Sequence, residues 1–180
     1  MSRLPTITRE DLSPEDQAIW DRIAATRSGM GGPSGVVIHV PELAGRIAQT
    51  EDYLRFRTEL PAADRELVIL ATAREVGAKY AWARHERRGR EDGTRPEAIE
   101  ILRAHGALDG LTPRERLLVD VVQTLIRTRA LPDDIYARAE AEFGRRQLVE
   151  VVALIGHYNG VGFLLGAFAV PPPSDLPDTF

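Results

Sequence analysis

The sequence predicts an all-α fold, a single-domain bundle of about seven helices. Three observations carry this reading. Strand-like alternation is nearly absent, apolar residues recur at helical spacing through most of the chain, and three helix starts are written in capping chemistry. The starts are Ser13-Pro14-Glu15-Asp16, Thr94-Arg95-Pro96-Glu97 and Thr112-Pro113-Arg114-Glu115. In each, a hydroxyl is set to accept an orphan backbone N–H and an acid three residues on is set to reach back. Proline falls in the first helical turn, where its missing N–H costs nothing.

From Ser13, the residues Ile19, Trp20 and Ile23 keep helical spacing until Arg27 to Gly35 (RSGMGGPSG) breaks it with four glycines and a proline. Residues 1–35 therefore read as a helical arm and glycine-rich loop, 36–170 as the helical domain, and 171–180 as a proline-rich tail. The second helix is expected from Pro41 to Glu59, burying Leu43, Ile47, Tyr53, Leu54 and Phe56. The third, Pro61 to Val76, is apolar around much of its circumference and so belongs between others. Lys79 to Arg90 resumes the pattern and brings Tyr80, Trp82 and His85 close together on one helix, ended by Gly93. A helix from Arg95 to His105 stops at Gly106, and Thr112 to Arg129 carries a continuous apolar face. A shorter helix runs from Pro132 or Asp133 to Phe143. The last, Arg145 to Ala169, is unusually apolar and glycine-rich, which suits a core helix or a subunit interface. The tail PPPSDLP cannot continue it.

Composition narrows the function classes. In 180 residues, 23 basic side chains against 27 acidic ones give a net charge of −4, so no global positive field collects nucleic acid or anionic membrane. With no cysteine there is no disulfide, thiolate nucleophile or sulfur metal ligand. The amino-terminal MSRLPTITREDLSPEDQ lacks the apolar core of a signal peptide, and the apolar stretch near the other end is broken by His157, Asn159 and glycines. The expectation is a soluble cytoplasmic protein that does not bind a membrane.

The run PELAGRIAQTEDYLRFRTELPAADRELVILATAREVGAKYAWARH, Pro41 to His85, resembles the central motif of the carboxymuconolactone decarboxylase-like and alkyl hydroperoxidase D-like (AhpD-like) family. The run LVEVVALIGHYNGVGFLLGAFAV, 148–170, resembles the last core helix of that family. In its redox members a glutamate, a Cys-x-x-Cys pair and a histidine form a proton relay that activates a thiolate. The resemblance puts the glutamate at Glu66 and the histidine at His85, and the two cysteine positions are Ala78 and Ala81. Alanine neither ionises nor forms a disulfide, so thiol peroxidase chemistry is excluded. A cysteine-free branch with Tyr, an acid, Trp and then His is matched by Tyr80, Trp82 and His85, with Ala81 standing at the acid position. The resemblance also implies a homo-oligomer, from dimer to hexamer, with residues 1–30 and 145–169 as interface candidates.

His85 and Glu66 are the expected catalytic pair, since an imidazole oriented by a carboxylate on a neighbouring buried helix moves protons near neutral pH. The alternative is a hydrogen-bonded pair that only ties two helices together. Tyr80 and Trp82 offer O–H and N–H donors to an anionic substrate, or else anchor the core. His157, Tyr158 and Asn159 interrupt the most apolar helix and need partners if buried, which makes His157 a binding candidate beside His85. His39, in a loop before Pro41, is the remaining binding candidate. His105 reads as a cation at a helix C-terminus, and Arg84, Arg87, Arg88 and Arg90, interleaved with acids, as a solvated face. A metal site from His85, Glu66 and His157 lacks the close histidine spacing of familiar motifs, so neither metal nor cofactor is expected. The functional expectation is a cofactor-independent acid–base enzyme acting on a small carboxylate or lactone. Its alternative is a non-catalytic binding or structural oligomer of the same fold.

Overall fold

The computed structural model describes residues 2–27, 29–176, 179 and 180. Met1 and Ser28 of the expected arm, and Pro177 and Asp178 of the expected tail, lie outside the described residues. Among the described residues every regular element is helical. A short 3-10 turn, Arg9–Asp11, precedes α1 (Pro14–Thr26), α2 (Pro33–Val37), α3 (Pro41–Phe56), α4 (Ala62–Glu75), α5 (Lys79–Glu91), α6 (Pro96–Ala104), α7 (Pro113–Thr128) and α8 (Asp133–Ala167).

One of the three expected caps, Thr112, forms as written, and a second, Ser13, forms without the backbone half of its box. Ser13 Oγ accepts the Asp16 N–H at 3.2 Å, and Thr112 Oγ1 accepts the Glu115 N–H at 3.2 Å while the Glu115 carboxylate accepts the Thr112 N–H at 2.8 Å. Thr94 does otherwise. Pro96 is the first helical residue of α6, so the cap position falls on Arg95, and the buried Thr94 hydroxyl donates instead to the Ala63 carbonyl at 3.1 Å. The helix α2 stands partly inside the segment expected to be loop, because Pro33 is preset for a first helical position and ends the glycine string there. The helix α3 stops at Phe56 rather than Glu59. His105, not Gly106, takes the left-handed position after α6 (φ 54°), a conformation histidine enters more readily than most residues.

The chain packs as two compact units. Unit 1 comprises residues 1–57 and 163–171. Its core gathers Ile23 of α1, Val37 and Ile38 at the end of α2, and Ala44 and Ala48 of α3, flanked by Ile19, Trp20 and Leu164. Arg27 fastens α1 to α3 through Glu51 at 2.8 Å and Asp52 at 3.4 Å.

Unit 2 comprises residues 58–162 and 172–180. Its centre is α4, which packs on α5, α6 and α7, and every residue from Glu66 to Ala73 is buried, as its apolar circumference requires. Gly89 lets α5 close on α4: a Cβ there would stand 3.3 Å from Thr94 Oγ1 and 3.6 Å from the Glu66 Cβ. The long α8 is interrupted at Gly144, whose φ of 72° and ψ of 160° lie in a region open essentially to glycine. The expected division into two helices, 133–143 and 145–169, is therefore present as a sharp change of direction. Gly144→Ala is expected to destabilise the fold by about 1–3 kcal/mol, read as a lower urea midpoint with an unchanged slope. By length and composition α8 could cross a membrane, with 44% of its most apolar window buried inside the fold. The core helix of a soluble protein has the same properties.

Candidate active site

The site is assembled in unit 2 by three helices. Glu66 lies in the second turn of α4, His85 in the middle of α5, and Tyr158 on α8, with exposures of 1%, 6% and 3%. Helical spacing selects them. Glu66 interrupts the apolar surface of α4, and Tyr158 continues the buried stripe Val151, Leu154 and Val161.

His85 Nδ1 is 2.7 Å from Glu66 Oε2, and its Nε2 is 3.0 Å from the Tyr158 hydroxyl. An ionised carboxylate only accepts, so the short contact assigns the proton to Nδ1, which donates to Glu66. In the neutral imidazole Nε2 is then the acceptor, and the Tyr158 O–H donates to it. The rings of His85 and Tyr158 stand edge to face, 5.0 Å apart at 88°. The second Glu66 oxygen, Oε1, has the Arg65 guanidinium at 3.4 Å, and Arg65 also reaches Asp92 at 2.9 Å.

This is a three-member hydrogen-bonded line, carboxylate to imidazole to phenol, held by packing and largely shielded from water. The low local dielectric strengthens each hydrogen bond and raises the cost of losing any one. Chemically the line can take a proton through Tyr158 or His85 while Glu66 stabilises the imidazolium that results, the logic by which a histidine is oriented and charged in hydrolase triads. Among the described residues no group of three or more His, Asp or Glu is arranged to hold a metal ion.

The other sequence-derived residues are placed differently. His157 lies edge to face on Tyr158, with ring centres 5.3 Å apart, so it neighbours the line through tyrosine. Trp82 is fully buried; its Nε1–H donates to Glu86 Oε2 at 3.0 Å and its ring faces Phe180. Tyr80 is half-buried, with the Arg84 guanidinium 5.8 Å from its ring centre. His39 belongs to unit 1, where its Nε2 meets the Pro5 carbonyl at 3.1 Å. His105 reaches the Glu75 carboxylate at 2.8 Å. Arg87 and Arg90 pair with acids at the surface, and Arg84 with Asp175.

Sequence reasoning placed Tyr158 near the site but did not give it a role. It read Glu86 only as one of the acids interleaved with the arginines on a solvated face, although Glu86 lies four residues after Trp82, one helical turn on. Burial pushes the Glu86 carboxyl up, but hydrogen bonds from Arg90, Arg103 and Trp82 outweigh it and hold the group below the usual glutamate value. Glu75 behaves alike: burial raises it, and Arg127 and His105 together bring it down. A carboxyl depressed in the folded state contributes stability above its unfolded pKa and loses it as pH falls through the folded one. Unit 2 is therefore expected to lose stability below about pH 4. Glu86→Gln and Glu75→Gln should each flatten that slope in melting curves taken between neutral and acid pH.

The fold and this line define an all-helical protein with a buried, hydrogen-bonded Glu–His–Tyr line and no thiol. Residues 41–124 match the model of the carboxymuconolactone decarboxylase family, a segment that carries both Glu66 and His85. Among solved structures, the chain resembles an uncharacterized peroxidase-related protein from Ralstonia eutropha JMP134 with an alkylhydroperoxidase AhpD core. That likeness has a TM-score of 0.81 at 16% identity and covers 97% of this chain and 93% of that one. A peroxidase-related protein from Silicibacter sp. TM1040 gives a TM-score of 0.77 at 16% identity, with coverage of 97% and 93%. A protein of unknown function from Agrobacterium tumefaciens gives 0.66 at 23%, covering 76% and 94%. At these identities the likeness concerns the fold. The uncharacterized protein YdfG of Bacillus subtilis is 26% identical over 97 residues, which span 53% of this chain and 66% of that relative. The matched segment of the carboxymuconolactone decarboxylase family is a little under half of the chain, the fold is that of the AhpD core, and the chain contains no cysteine. Ala78 and Ala81, the positions at which the resemblance places the cysteine pair, are both buried and stand on either side of the start of α5.

Proposed function

We propose that the protein is a cofactor-independent acid–base enzyme acting on a small carboxylate or lactone. The observation that carries this reading is the unbroken line from Glu66 through His85 to Tyr158, with a donor assigned at each step. His85 is the proton-transfer residue, Glu66 orients it, and Tyr158 is the hydroxyl through which the proton passes. Tyr80, Trp82 and His157 are the binding candidates of unit 2, and His39 that of unit 1. The substrate class rests on the family, and the likeness to peroxidase-related proteins does not extend to thiol chemistry, since the chain has no cysteine.

The test is a panel of unsaturated lactones and small carboxylic acids in deuterated buffer. Carbon dioxide release and deuterium uptake at the carbon beside the carboxyl are followed for the unsubstituted protein and for His85→Gln. Turnover lost in His85→Gln supports the reading. No exchange with any member of the panel would transfer support to the second reading, a non-catalytic binding or structural oligomer. One observation favours that alternative: all three relay residues are buried, and a histidine tied at both nitrogens also serves as a cross-link between helices.

Either reading includes a cytoplasmic homo-oligomer, dimer to hexamer. It is supported by Val149 and Val152, which leave α8 with apolar side chains 63% and 36% exposed. Val149→Asp is expected to lower the mass measured by light scattering to that of a smaller species.

A further inference from the structure

A second cluster in unit 2 takes no part in the proton line. The Phe180 ring stands edge to face on the fully buried Trp82, with centroids 5.3 Å apart at 90°. The Arg74 guanidinium lies 4.2 Å from the centre of the same phenyl ring, and the Lys79 ammonium 5.9 Å. Arg103 completes the enclosure, 5.4 Å from the Trp82 ring centre, and donates to the Thr179 carbonyl. Asp175 ties the preceding stretch of the tail to Arg84 at 3.2 Å.

The charges of this cluster are unequally met. Arg103 is paired with Glu86 and Glu100. Among the described residues neither Arg74 nor Lys79 has a carboxylate within ion-pair distance; Arg74 Nε–H donates to the Arg103 carbonyl at 3.2 Å. A phenyl ring answers two cations only with the negative face of its π system, which is weaker than a carboxylate. The tail is an imperfect occupant in a second respect. The Thr179 hydroxyl is buried without a hydrogen-bond partner, a condition that works against docking.

An indole wall, two cations without carboxylate partners and a seated aromatic ring are the parts that recognise a ring bearing an anionic group. We propose that Trp82, Arg74, Lys79 and Arg103 form a binding seat for an aromatic carboxylate. In this seat Phe180 takes the place of the ligand's ring, and the ligand enters by displacing the tail. The proposal goes beyond the acid–base reading: the seat binds whether or not His85 moves protons, and its test reads binding rather than turnover, so each can fail alone.

The probe is 3-phenylpropionate, titrated by calorimetry and by Trp82 emission in a Trp20→Phe background that leaves one indole. Phe180→Ala is expected to bind it about tenfold more tightly than the chain with its tail intact, because the competing ring is gone. Adding Arg74→Gln to Phe180→Ala should cost about tenfold, and the uncharged 3-phenylpropanol should bind about tenfold more weakly than the acid. Equal affinity with and without Phe180 overturns the competition. Absence of binding to Phe180→Ala, or binding indifferent to Arg74 and to the carboxylate, overturns the seat. If Phe180→Ala does not fold, Asp175→Asn serves, since it frees the tail from Arg84 outside the seat. Affinity raised at least twofold supports the proposal there, and unchanged affinity overturns it.

Discussion

His85→Leu is expected to destabilise the protein by about 3–5 kcal/mol, the cost of leaving a buried ionised partner without its counterpart. Glu66 is 1% exposed, so water cannot replace the lost imidazole. Arg65, 3.4 Å from the other carboxylate oxygen, compensates only in part. The Tyr158 hydroxyl loses its acceptor in the same step. In a chain of this size such a loss lowers the melting temperature by roughly 10 °C. The informative comparison is the double variant His85→Leu/Glu66→Leu. Removing both partners removes the stranded charge, so the double variant should be more stable than His85→Leu alone, and the cycle should show coupling of at least ~1 kcal/mol. Unfolding followed through Trp82 in a Trp20→Phe background reports on unit 2 directly. Additive losses in the cycle would mean that the two side chains are stabilised separately and that their 2.7 Å contact contributes little.

Most of the fold was legible because helix starts and apolar spacing are local. The Thr112 capping box formed in full and the Ser13 cap through its hydroxyl, and the all-apolar circumference of residues 67–71 marked α4 as the central helix. What failed depended on context. Thr94 carries the right chemistry for a cap, but Pro96 fixed the first helical position one residue too late for it, and a tertiary acceptor, the Ala63 carbonyl, took its hydroxyl. The helix α2 is too short for periodicity to declare it among glycines. At the site, Glu66 and His85 come from the motif that the sequence resembles, and the structure brings the two side chains into contact. Tyr158 was overshadowed by His157, a residue type more often linked to proton transfer. The signal that separates them is geometric: Val151, Leu154, Tyr158 and Val161 share one buried face of α8, and His157 lies about 100° away from Tyr158 around the helix. No local pattern announced the side-chain cluster around Trp82, since Arg74, Lys79, Arg103 and Phe180 come from four separate stretches of chain.

Tyr158→Phe separates a relay from a cross-link. The substitution keeps the ring, and with it the edge-to-face packing on His85, and removes one oxygen. Its expected cost in stability is small, about 1–2 kcal/mol for the imidazole acceptor left unsatisfied. Its expected cost in chemistry is large: for any substrate turned over, kcat falls by about 10²–10³ with KM nearly unchanged, the range for loss of one positioned proton-transfer group. Glu66→Gln should lower kcat as well, because the amide keeps the size of the side chain but no longer stabilises the imidazolium. The two substitutions together should cost little more than the worse of them, since groups acting in one proton line are not additive. Retention of full kcat in Tyr158→Phe, alongside its loss in Glu66→Gln, would mean that His85 Nε2 meets the substrate itself. Tyr158 would then be a positioning residue that gives way when the substrate binds.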